Sequence, residues 1–218
     1  MSYDFTVLIP ELIGTHEQAL ALHNAMCEQP EGPVPDNVQR FMDELHQKYG
    51  YENDEETGFL SVAPIDGDAR GAVVPTWIGS IPENRAAMLE LARDHGLGLY
   101  DPQRDRLYDP RGHIQGLTVT LGDGWDVPYL SPALLSDLFD HPHPEYPWVI
   151  IERADQCYIQ SKFPPDEHVE VEYRRGGPDR HYQAVTADRQ LAQKVLWGWA
   201  IESADWDSML QWEPMDFT

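Results

Sequence analysis

The stretch from Trp148 to Val185 constrains the fold of this chain more than any other. It reads as four short strands joined by three turns. Trp148, Val149, Ile150 and Ile151 form an unbroken apolar run, the pattern of a strand covered on both faces. Ala154-Asp155-Gln156 makes a turn, Cys157 to Phe163 a second strand, and Pro164-Pro165-Asp166 a break. From His168 to Arg174 the alternation is strict, with Val169, Val171 and Tyr173 opposed to His168, Glu170, Glu172 and Arg174. Gly176-Gly177-Pro178-Asp179 supplies a loop that tolerates positive φ, and His181 to Val185 returns as a fourth strand. Ala187 to Ser203 then carries Leu191, Ala192, Val195 and Trp199 at helical spacing. The pattern predicts an antiparallel meander with one helix laid across it, an α+β unit.

The N-terminal half alternates differently. Tyr3 to Ile9 reads as a strand with Phe5, Val7 and Ile9 on one face. Thr15 with Gln18 fits a capping box that opens a helix with Ala19, Leu22 and Met26 on one side. Asp36 opens a second helix with a stripe of Val38, Phe41, Met42, Leu45 and Tyr49. A strand from Ala72, a helix ending at His95-Gly96-Leu97 and a short strand with a hairpin partner complete a β-α-α-β-α-β order. That order suits a ferredoxin-like α/β sandwich. The turn-rich Arg111 to Gly116 divides the chain into an α+β domain over 1–112 and a sheet-plus-helix domain over 116–218.

Charge narrows the function. Lys plus Arg number 15 against 38 Asp plus Glu, a formal net charge of −23. Residues 1–115 hold 20 acids and 8 bases, and residues 116–218 hold 18 and 7, so the excess is spread and belongs to the folded surface. Such a field repels nucleic acid and anionic membranes and attracts basic proteins. The simpler explanation of the same charge is solubility. Cys27 and Cys157 are the only cysteines and make neither a disulfide framework nor a zinc site by themselves. The N-terminus shows no signal peptide and no apolar run reaches the roughly 20 residues that span a bilayer, so a cytoplasmic protein is expected.

Catalytic chemistry finds little support. His141-Pro142-His143 with Glu145 offers two imidazoles and a carboxylate, but no evident third partner, so no metal is expected there; a small hydrolase with a His141/His143 metal site is the alternative. No Gly-x-Ser-x-Gly elbow is present, and neither cysteine carries a recognisable histidine-partner motif. Glu170 and Glu172 share one face of a strand, roughly 6.5–7 Å apart between Cα atoms at strand rise. Paired carboxylates of this kind suit acid–base work in a small hydrolase, and equally suit the solvated face of an edge strand. Gly96-Leu97-Gly98 follows a helix, so it cannot present a helix N-terminus to phosphate. No cofactor is expected, and a binding protein with a basic partner is favoured over an enzyme.

Trp148 to Arg153, Tyr158 to Gln160, Val169 to Arg174, His181-Tyr182 and the closing Trp206 and Trp212-Glu213 carry a resemblance. In their strand starts and aromatic anchors, over about 70 residues, they resemble the Imm1-like immunity proteins of bacterial polymorphic toxin systems. The resemblance implies a non-enzymatic protein that binds and neutralises a cognate toxin domain, often a basic nuclease or deaminase. Toxin-facing residues are placed by chemistry alone. One candidate patch is Glu52, Asp54, Glu55 and Glu56, whose alternative is a solvated loop; the other is Asp205, Asp207 and Glu213 beside Trp206 and Trp212. For the two tryptophans the alternative is core packing of the last segment.

Overall fold

The computed structural model describes residues 2–49, 58–78, 81–164 and 168–215. The chain divides into two compact units, Met1–Arg111 and Gly112–Thr218. Both are α+β with an antiparallel sheet.

In the first unit β1 (Ser2–Leu8) is central. It pairs antiparallel with β3 (Gly71–Trp77) on one side and β4 (Gly98–Asp101) on the other. The short β2 (Gly67–Asp68) and β5 (Arg106–Tyr108) lie outside them, giving the order β2-β3-β1-β4-β5. The strand stops at Leu8, one residue before the sequence pattern suggests, and Leu8 is as buried as Phe5 and Val7. The reason is α1 (His16–Glu28), which covers the second face: Ala19, Leu22 and Met26 pack with Leu8, Ile13 and Tyr100. On the other face Phe5, Val7, Ala72, Val74 and Leu99 are buried with Val38, Phe41 and Leu45 of α2 (Asp36–Tyr49) and Met88, Leu91 and Ala92 of α3 (Ile81–Asp94). Local signals set the helix ends. Thr15 Oγ1 accepts from the Gln18 amide, and Gly96, at φ +65°, closes α3 with Leu97 N–H on the Ala92 carbonyl at 2.8 Å.

The second unit holds a seven-stranded sheet in the order β12-β11-β10-β9-β8-β6-β7. Its members are β6 (Thr118–Leu121), β7 (Asp126–Val127), β8 (Trp148–Ala154), β9 (Cys157–Lys162), β10 (Val169–Arg175), β11 (His181–Thr186) and β12 (Glu213–Pro214). Every pairing is antiparallel. Two helices, not one, cover it: α4 (Pro132–Asp140), capped by Ser131, buries Leu134, Leu135, Leu138 and Phe139. α5 (Arg189–Ala200), capped by Asp188, buries Ala192, Val195, Leu196 and Trp199. Against them stand Val119, Val149, Ile151, Ile159, Val169, Val171 and Tyr173. An irregularity between Glu152 and Ala154 interrupts the β8–β9 register, and Arg153 there donates to the Trp199 and Ala200 carbonyls at 3.1 and 2.9 Å. A guanidinium thereby caps the end of α5.

The apolar run Trp148–Ile151 is not sandwiched. Val149 and Ile151 are buried under the helices, whereas Trp148 and Ile150 are only half-buried on the opposite face. A continuous apolar run is expected when both faces are covered; here helices cover one face and the other keeps its aromatic and aliphatic groups partly exposed.

Candidate binding face on the second sheet

Because side chains alternate along a strand, the antiparallel register sets the uncovered face in rows. One row runs Trp148, Lys162, Glu170, Val185 across β8, β9, β10 and β11. The next runs Ile150, Gln160, Glu172, Gln183, and a third Glu152, Tyr158, Arg174, His181. Between the first two rows lies a groove of about 290 Å³, lined by Trp148, Ile150, Gln160, Lys162, Glu170 and Glu172 among others. Val185, 61% exposed, stands at the end of the first row.

One carboxylate of the groove is held in place. Glu172 Oε2 accepts from Gln160 Nε2 at 2.7 Å and lies 3.2 Å from His181 Nε2. His181 is 4% exposed, and its Nδ1 meets the Arg174 guanidinium at 3.0 Å. Arginine only donates, so Nδ1 accepts and Nε2 carries the proton toward Glu172. Burial, with Arg174 adding to it, pushes the His181 pKa below the ordinary imidazole value, although Glu172 pulls the other way. The Arg174 guanidinium also lies 5.7 Å from the Tyr158 ring, whose hydroxyl is pushed up in pKa by burial. In this tautomer both ring nitrogens are committed, so His181 orients a fixed carboxylate and does not stand open as a base. Glu170, two residues along the same face, is exposed.

The C-terminal candidates are placed differently. Trp206 is 7% exposed, and its ring packs edge-on to Tyr173 at 4.9 Å. Trp212 is half-buried, packs edge-on to the same ring at 4.7 Å and donates through Nε1 to the Asp207 carbonyl at 2.8 Å. Arg175 lies over the Trp206 ring at 5.2 Å and pairs with Asp207 at 3.2 Å. The two tryptophans therefore pack the last segment against β10. Asp205 and Glu213 are exposed, and Glu213 sits on the edge strand opposite Gln183. Glu52, Asp54, Glu55 and Glu56 lie outside the described residues.

His141 and His143 do not converge. His141 Nδ1 faces Asp137 at 3.2 Å, within one helical turn. His143 Nδ1 accepts the amides of Glu145 and Tyr146 at 3.2 and 3.1 Å, shaping the loop before β8. Among the described residues, His143 belongs to no group of three metal-ligating side chains.

His181, Arg174 and Gln160 gather around Glu172, a grouping that sequence reasoning did not place. The pairing of β10 with β11 across Gly176-Gly177 is what sets Arg174 opposite His181. No family model, curated protein or solved structure matches the chain. No helix among the described residues is long and apolar enough to cross a membrane.

Proposed function

We propose that this chain is a cytoplasmic, non-enzymatic immunity protein that binds a basic toxin domain through its acidic surface. The observation that carries the reading is the net charge of −23, divided almost equally between the units: −12 over residues 1–111 and −11 over 112–218. A charge of that sign on folded domains draws a cationic partner into productive encounters and repels nucleic acid and anionic lipid. Affinity then comes from apolar anchors at the contact, and Trp148, Ile150 and Val185 on the uncovered sheet face are of that kind. The meander β8–β11 followed by α5 supports the Imm1-like reading of the second unit. The first unit is read as a ferredoxin-like sandwich. Its support is the order β4-β1-β3-β2, with α1 and α2 in the first crossover, α3 in the second, and β5 added at an edge.

Co-expression with candidate toxin domains encoded beside it tests the reading. Growth should be restored, and the two chains should copurify at one-to-one stoichiometry. Persistent arrest with every such domain sinks the proposal.

A further inference from the structure

The uncovered face of the second sheet carries an assignment of its own, which rests on the reading above. We propose that the groove across β8, β9 and β10 is the docking surface for a cationic segment of a protein partner. In this assignment an arginine or lysine of that segment reaches Glu170 and Glu172 beside the Trp148 ring.

Three features converge on that occupant. The groove has an apolar wall, Trp148 and Ile150, and a carboxylate wall, Glu170 and Glu172, separated by the width of β9. A long cationic side chain has the same two parts: an aliphatic stem that packs on apolar surface and a charged head that seeks carboxylates or an aromatic face. Glu172 is pre-positioned by Gln160 and His181, so a partner meets it without ordering it first. Finally, the chain places its own lysine in the first row, with Lys162 directly between Trp148 and Glu170 in the register. The row already suits an ammonium group, and Lys162 competes with an incoming one. A second copy of this chain is a poor occupant, because it brings another net charge of −23 to the same face.

The test uses the full chain and a fluorescein-labelled peptide of alternating arginine and leucine, followed by anisotropy at low salt. Glu170→Lys should weaken binding by about tenfold or more, and Lys162→Ala should tighten it several-fold. Both positions are exposed on the face, so the fold is retained. Glu28→Lys on α1 and Lys194→Ala on α5 make the same charge changes at exposed positions elsewhere and should move the affinity less than about twofold. If wild type binds the peptide and the groove variants change no more than their controls, the groove assignment falls while a cationic partner stands. If wild type does not bind the peptide at all, the cationic-partner reading falls and takes the groove with it.

Discussion

His181 is the residue whose chemistry is most open to test. It is buried, accepts from Arg174 and donates to Glu172, and its pKa in the fold lies below the ordinary value. The unfolded chain therefore takes up a proton first. The stabilisation is fully present above the unfolded pKa of about 6.5 and is lost as pH falls through the folded value. His23, bonded to Thr6 at 2.7 Å and likewise lowered by burial, works in the same direction. His181→Gln keeps one acceptor for Arg174 and one donor for Glu172 but cannot titrate. Melting curves from about pH 8 down to about pH 5 should show the variant losing less of its Tm than wild type. Parallel pH slopes would show that His181 titrates alike in the folded and unfolded chain, with no lowering by the fold. A second residue-scale prediction concerns Gly71, at φ +153°, where an added Cβ would sit 1.9 Å from the Val7 carbonyl oxygen. Gly71→Ala should cost about 2 kcal/mol or more in denaturant unfolding, since neither the φ nor the β1–β3 spacing can give way cheaply. A loss under half that would mean the strands separate readily there.

At the scale of elements, short-range signals carry far. Ser131, Thr15 and Asp188 each accept from the amide three residues on, and each starts a helix. Asp188→Ala should therefore cost about 1 kcal/mol, read from the shift of the guanidinium unfolding midpoint at unchanged slope. No shift would mean that packing alone starts α5. The Thr15 cap was legible in the sequence because it is decided within four residues. The alternation of β10 was legible for the same reason, and its Val169, Val171 and Tyr173 face the core. What covers a strand's two faces is not local. Trp148 and Ile150 read like Val149 and Ile151, and only the placement of α4 and α5 separates them. Trp206 and Trp212 are a further case: that both pack on Tyr173 is set by the fold of the last segment against β10, not by their near-terminal place beside acids. The Glu172–His181–Arg174 cluster depends on the register across the loop at Gly176, φ +83°, which composition alone does not fix.

For the whole molecule, charge decides what can approach. With 38 acids against 15 bases, encounter with a cationic protein is accelerated and encounter with polyanions is suppressed. Screening acts on this long-range term far more than on contacts already buried, so salt separates steering from anchoring. The measurement that tests the account most directly is the stopped-flow association rate with the toxin domain recovered by co-expression, taken as a function of sodium chloride. The account predicts a rate that falls about tenfold or more between roughly 50 and 500 mM salt, with the dissociation rate changing far less. An association rate flat across that range would contradict it.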